Sequence, residues 1–198
     1  VLLTAGRRGY SAQRVSKLAE GTMVPMPIMA HADEFERPYG NTVAAQQFAH
    51  AARRHMHEFG TSSEHFGMIA VACRKHACLN PRALMHGRPM TLADHQESRM
   101  VADPRRLFDC SLESDGAGAV VVTSRERARD LRRPPVRILG IAEGHAGPPT
   151  SITQKRDMTE IEGLRKAAGP AYRMAGVGPA EIDCAQLYDG FTWITLVT

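Results

Sequence analysis

The sequence is poor in cysteine and pairs none of its cysteines closely. Cys73, Cys78, Cys110 and Cys184 form no CxxC pair and no dense framework. That excludes a disulfide scaffold and predicts a reduced, cytoplasmic protein. Cys73 and Cys78 lie five positions apart with His76 between them, but no second pair follows, so no metal site is expected. No apolar run reaches the roughly 20 residues that a membrane helix needs, so no membrane span is expected. No segment reads as a secretory signal peptide, and the first residue is Val1, not Met. Excess charge is also scarce: 25 basic against 21 acidic side chains, or +4. Much of that excess sits in SRERARDLRRPPVR (Ser124 to Arg137), which has no interleaved aromatics. It reads as a solvated helix and linker, and no nucleic-acid partner is expected.

What is present is the balance of a globular chain. The 198 residues are 43% apolar and 23% charged, enough for one large domain or two small ones. VLLTAG, at the start, is a continuous apolar run suited to a buried strand. A Pro- and Met-rich stretch, EGTMVPMPIMAHADEFERPYGN, reads as an irregular covering segment. TVAAQQFAHAARRHMHEFG predicts a helix with Val43, Ala44, Phe48, Ala51, Ala52, Met56 and Phe59 on its apolar side, ended by Gly60. TSSEHFGMIAVACRKHACLNP predicts a second helix, capped by Thr61 or Ser62 with Glu64 in capping-box reach, and stopped at Asn80-Pro81. Its cysteines are expected to fill the apolar face. A third, shorter helix is expected from Thr91. Beyond it come a turn at LFDCS, a buried strand over Ala119 to Thr123, and a helix in RERARDLRR. Then follow a strand in VRILGIAEGHAG, a helical region interrupted at Gly169-Pro170, a strand in EIDCAQLYD and a helix opening at FTWITLV. Alternating strands and helices define the α/β class with a mostly parallel sheet. Chemistry in such sheets gathers beyond the carboxyl ends of strands, where Tyr188, Asp189 and Ser111 fall.

Three stretches in series carry a resemblance: HEFGTSSEHFGMIAVACRKHACLNP, DCSLESDGAGAVVVTS and AGVGPAEIDCAQLYDGFT. Each alone is weak. Their order and spacing resemble the thiolase superfamily, in the branch of thiolase-like lipid-transfer proteins related to the thiolase domain of sterol carrier protein x. The resemblance covers the chain from about Tyr39 onward. It implies a thiolase-like layered α-β-α-β-α fold, present only in part. Residues 1–133 would be the later part of the N-terminal half, including its inserted loop domain, and residues 134–198 the beginning of the C-terminal half. The family's nucleophilic cysteine would lie upstream of VLLTAG, and its Gly-His-Pro histidine downstream of YDGFT. The sequence therefore reads as an internal fragment, inactive and poorly soluble by itself.

The resemblance also implies a chemistry. The complete protein would act on acyl-CoA, by acyl transfer or by C–C bond cleavage next to the CoA thioester. Alternatives are a steroid side-chain retro-aldolase subunit working with an OB-fold partner, and a non-catalytic acyl-CoA or lipid carrier. No cofactor is implied apart from coenzyme A as part of the substrate, and a homodimer is expected. Thiolases proper carry Asn-Glu-Ala-Phe where this chain has Tyr188, Asp189, Gly190 and Phe191. Tyr188 thus stands where an asparagine would hold an oxyanion-hole water. A phenol there can donate a hydrogen bond directly, or act as acid or base. The competing account is a half-buried tyrosine with a structural partner. Asp189 is the second catalytic candidate, against a role in stabilising a helix start. Ser111, Phe191 and His76 are candidates for substrate or CoA contact, and Ser111 equally fits a turn serine. His65 shares a helix face with His76. Arg53, Arg54, Arg74 and Lys75 are candidates for the phosphates of CoA.

Overall fold

The computed structural model describes residues 2–8 as backbone, and residues 32–146 and 152–198 in full. Most of the Pro- and Met-rich stretch, up to His31, lies outside the described residues. In chain order the elements are β1 (Leu2–Arg8), α1 (Ala44–Phe59), α2 (Ser63–Leu79), α3 (Leu92–Glu97), β2 (Met100–Ala102) and β3 (Arg105–Arg106). They continue with β4 (Asp115–Val121), α4 (Arg125–Ala128), α5 (Glu162–Ala175) and α6 (Thr192–Leu196). The chain divides into two compact units. Unit 1 holds Val1–Met23, Leu112–Glu143 and Ala167–Ile182; unit 2 holds Val24–Ser111, Gly144–Lys166 and Asp183–Thr198.

Unit 2 is built on the expected helices. The Gln46 side chain accepts from the backbone N–H groups of Thr42 and Val43 at 2.8 and 3.1 Å, closing the start of α1. Gly60, at φ 67°, ends α1 in the left-handed conformation that glycine adopts without strain. Ser62 caps α2, but the reciprocal partner is His65, not Glu64: the Ser62 N–H donates to His65 Nδ1 at 3.0 Å. Counting from Ser62, the third helical position belongs to His65, and only that position reaches back to the cap. Asn80 stops α2, and its Oδ1 accepts from the Arg82 N–H at 3.0 Å. Thr91 caps α3 as expected. Its hydroxyl accepts from the Asp94 N–H at 3.1 Å, and the Asp94 carboxylate accepts from the Thr91 N–H at 2.7 Å. The Thr91 hydroxyl donates to the same carboxylate at 2.7 Å, and this bond first, then the one from the Thr91 N–H, holds the Asp94 carboxyl below its ordinary range. The core gathers Ala51 and Ala52 from α1, Phe66 from α2, and Trp193 and Ile194 from α6. Trp193 is buried to 1% exposure in this cluster, with its ring 5.9 Å from that of Phe48 on α1.

Unit 1 departs from expectation. β1 and β4 pair antiparallel, with Leu2 opposite Val121 and Arg8 opposite Asp115. The small β2–β3 ladder in unit 2 is antiparallel too, so the mostly parallel sheet is not what the described residues form. The strand expected buried over Ala119 to Thr123 is β4, and all of it is exposed. VRILGIAEGHA and the run from Asp183 to Tyr188 carry no ladder among the described residues. In the first stretch Gly140 lies so close to α5 that a Cβ there would collide with the Ala171 carbonyl oxygen. That stretch packs on a helix. A continuous apolar run becomes a buried strand only where neighbours and layers meet it. α5 also runs unbroken through Gly169-Pro170. Gly169 has no Cβ for the proline ring to meet, which removes one of the clashes that proline brings to a helix interior; the lost N–H and the clash with the carbonyl one turn back remain. Among the described residues, no helix is long and apolar enough to cross a membrane.

Candidate functional site

The β2–β3 hairpin delivers a single helical turn, Leu107–Asp109, and then Cys110 and Ser111. This segment meets the YDGFT stretch within unit 2. Cys110 and Phe191 form an antiparallel bridge, and the Ser111 N–H donates to the Gly190 carbonyl at 3.1 Å. The sequence candidates Tyr188, Asp189, Phe191 and Ser111 are thereby brought together.

Tyr188 is 74% exposed, not half-buried. Its ring folds back over Gly190, where a Cβ would lie 2.7 Å from the phenol oxygen. A side chain at position 190 would displace the tyrosine ring. Asp189 is exposed and precedes the Phe191 cap of α6. Cys73 is exposed as a whole residue, but partial covering of its thiol raises its pKa, and Asp189 adds to that shift. Phe191 is half-buried: its ring packs against Phe48 at 5.0 Å, and the Arg105 guanidinium lies 3.6 Å above it. It is a wall of the site. Ser111 is exposed. His76 is exposed on α2, and no hydrogen bond or ion pair ties it to this group among the described residues. His65 is committed to capping α2.

The expected phosphate-binding cations are mostly engaged elsewhere. Arg53 pairs with Asp103 and Arg54 with Glu58. Arg74 donates to the Arg88 carbonyl at 3.0 Å, while Lys75 is exposed. The cysteines do not fill the α2 core face: Cys73 is exposed and Cys78 half-buried. Burial pushes the Cys110 thiol up, with Arg105 pulling it down and Asp109 raising it again. Both shifted thiols, Cys73 and Cys110, thus move away from the thiolate form a nucleophile needs.

Sequence reasoning missed the polar cluster under the turn. Asp109, 2% exposed, accepts from His95 Nε2 at 2.9 Å and from the Thr192 hydroxyl at 2.8 Å through one carboxylate oxygen. Its other oxygen accepts from the Arg106 N–H at 2.7 Å. Arg105, 1% exposed, donates to the Asp109 carbonyl at 3.1 Å, and burial lowers its pKa to about 10. Asp109 stands inside the DCSLESDGAG block, but nothing in the sequence tells that its carboxylate turns toward Thr192, 83 positions on.

A cleft of about 600 Å³ lies elsewhere in unit 2, lined by His55, Thr61, His65, Asp157, Thr159 and Val197, among others. Its polar groups serve one another. His55 meets the Thr61 hydroxyl at 2.8 Å, and Asp157 accepts from the Thr159 N–H and hydroxyl at 2.7 and 2.6 Å. Tyr188, Asp189, Ser111, Phe191 and His76 do not line it, while His65 does. Among the described residues no three His, Cys, Asp or Glu side chains are grouped to hold a metal ion.

Comparison with known proteins places this architecture. Residues 144–198 match the family described as thiolase C-terminal domain-like. The chain is 45% identical over 161 residues to a steroid side-chain-cleaving aldolase of Thermomonospora curvata, covering 80% of this chain and 41% of that protein. It is 40% identical over 194 residues to the 17-hydroxy-3-oxo-4-pregnene-20-carboxyl-CoA lyase of Mycobacterium tuberculosis, covering 96% of this chain and 48% of that one. The solved Ltp2-ChsH2(DUF35) aldolase superposes with a TM-score of 0.85 at 38% identity, over 98% of this chain and 49% of its own. The chain belongs to the thiolase superfamily, with the thiolase-like fold. It spans about half the length of the curated relatives it matches.

Proposed function

We propose that this chain is part of a thiolase-like protein that cleaves the C–C bond next to a CoA thioester, in the manner of a steroid side-chain retro-aldolase. The observation that carries this reading is Tyr188: an exposed phenol folded over Gly190, beside Asp189, in the place where thiolases proper have asparagine. Retro-aldol cleavage of a β-hydroxyacyl-CoA moves one proton and one electron pair. The β-hydroxyl proton leaves, the Cα–Cβ bond breaks as the β-carbon becomes a ketone, and the pair goes to the α-carbon as an enolate. Protonation of that carbon completes the balance. Nothing is oxidised or reduced, and no nucleophilic cysteine or added cofactor is needed. Tyr188 handles the proton, Asp189 is its nearest carboxylate in sequence, and Ser111 and Phe191 frame the substrate. The upward shifts of Cys73 and Cys110 support a step without a thiolate from this chain.

The named activities of the relatives at 45% and 40% identity support the lyase reading over acyl transfer. The DUF35 component of the matching aldolase supports a partner of that kind, the position the OB-fold expectation assigns. The family match at 144–198 supports assigning the last third of the chain to the beginning of the C-terminal half. A homodimer and a cytoplasmic location belong to the same reading.

The test is a direct assay of the complete protein with its partner. One substrate is a β-hydroxyacyl-CoA carrying a steroid ring; the other is a 3-ketoacyl-CoA offered with free CoA. Cleavage of the first is expected, and Tyr188→Phe should lower its kcat by about 10²- to 10⁴-fold. Thiolysis of the second alone, or full activity of Tyr188→Phe, overturns the reading.

A further inference from the structure

We propose that Asp109 and Arg105 are positioning residues for the Tyr188–Asp189 turn, acting through Thr192, Phe191 and Gly190; this rests on the reading that Tyr188 handles the proton. The contacts fall on three consecutive residues just beyond the turn. The Ser111 N–H holds the Gly190 carbonyl at 3.1 Å. Arg105 lies 3.6 Å over the Phe191 ring. Asp109 accepts from the Thr192 hydroxyl at 2.8 Å. All come from residues 105–111, so one short segment grips the base of the turn from one side. Because the Tyr188 ring rests on Gly190, the placement of Gly190 sets where the phenol points.

The chemistry of the grip is what points to function. If α6 needed only to be held down, Trp193 and Ile194 would do it through apolar burial. Burying a carboxylate and a guanidinium instead is costly, and apolar residues of the same volume often serve stability as well or better. Arg105 leaves Nε and Nη1 without a hydrogen-bond partner among the described residues, which adds to that cost. What directional bonds supply, and apolar contact does not, is one fixed geometry. The Asp109 carboxylate fixes the Thr192 rotamer, and is itself oriented by His95 and by the Arg106 N–H. His95 is held in turn by α2, where Gly67 leaves room for it: a Cβ there would lie 2.9 Å from His95 Nδ1. The turn is thereby referred to the packed helices of unit 2. Misplacing a reacting group by about 1 Å costs on the order of 10²-fold in rate.

The experiment uses the complete protein with its partner and the β-hydroxyacyl-CoA substrate. Thr192→Val, Thr192→Ser and Asp109→Asn are compared, each with Tyr188 intact and with Tyr188→Phe. Thr192→Val and Asp109→Asn should lower kcat by about 10- to 100-fold with KM within about 3-fold. Thr192→Ser, which keeps the hydroxyl, should restore most of it. With Tyr188→Phe already present, Thr192→Val should cost nothing further in kcat, because the group being positioned has gone. Amide exchange at residues 188–192 should quicken at least about 10-fold in Thr192→Val, while the rest of unit 2 keeps its protection. Equal losses in both Tyr188 backgrounds, or a Thr192→Ser variant as poor as Thr192→Val, overturn the proposal. If Tyr188→Phe is itself fully active, the functional reading fails and the exchange measurement decides the positioning alone: unchanged exchange at 188–192 sinks it. Should Asp109→Asn not fold, the Thr192 pair carries the test unaided.

Discussion

α1 and β4 both carry alanines and larger apolar residues, yet the structure treats those residues oppositely. α1 in unit 2 presents Ala51 and Ala52 to Phe66 and Trp193, and these side chains lose essentially all their solvent contact. β4 in unit 1 presents Val120 and Val121 to solvent, with Val121 72% exposed. Val136, Ile138, Leu139 and Ile141 of the same unit are exposed as well. The difference is not composition. A helix with one apolar stripe needs a single partner surface, and α2 and α6 supply it. A strand that is apolar throughout needs a layer on each face, and the described residues of unit 1 supply neither to β4. The candidate site follows the same division. Every contact that shapes it, from Arg105 to Thr192, is made inside the packed unit.

The comparison is broken most forcefully at its centre. Trp193→Ala empties the middle of unit 2 and should cost about 3–5 kcal/mol, read as a large fall in the thermal midpoint followed by circular dichroism. A fall of less than about 1 kcal/mol would show that α6 is not what closes the core. Gly67→Ala is the next largest. Its Cβ would meet Leu92 Cδ1 at 2.5 Å and His95 Nδ1 at 2.9 Å, forcing α3 away from α2. The expected cost is about 1–3 kcal/mol, measured by denaturant titration. Unchanged stability would mean that the α2–α3 contact yields freely.

A smaller effect sharpens the contrast through pH. Asp94 and Asp157 are both held below the ordinary carboxylate value of 3.8 by hydrogen bonds from Thr91 and Thr159. A lowered folded-state pKa contributes stability that is present above the unfolded value and lost as pH falls through the folded one. Acidification below 3.8 should therefore loosen the α3 cap and the 157–159 turn of unit 2. Amide exchange against pH reads this directly, and Asp94→Asn should abolish the acid dependence at α3. The smallest effect belongs to unit 1. Val121→Lys on β4 should change stability by no more than about 0.5 kcal/mol. A loss several times larger, by the same denaturant titration, would reveal an apolar layer over that strand.

Much of unit 2 was legible in the sequence because its signals are local. The glycine after α1, the Asn80-Pro81 stop and the Thr91 cap each act over a few residues and were placed correctly. The apolar side of α1 was right at Ala51 and Ala52 but wrong at its ends, where Ala44 and Phe59 are exposed and Val43 is the cap. The exchange of Glu64 for His65 in the α2 cap is a one-position error of the same kind. The strands were legible as apolar runs but not as ladders, since pairing and its direction depend on residues far away in sequence. The α5 helix was read as interrupted at Gly169-Pro170 because both residues disfavour a helix interior locally, yet the helix runs through them.

By itself, then, the sequence determined the helices of unit 2, the α/β class, the family, and the unusual tyrosine in YDGF, because propensity, capping and motif spacing are properties of neighbouring residues. Only the tertiary structure decided that β4 stands exposed, that Cys73 faces solvent, and that His76 stays apart from the turn. It alone brought Asp109 to Thr192 and laid Arg105 over Phe191. Those contacts join stretches separated by more than eighty positions, and their geometry exists only once the helices between them have packed around Trp193.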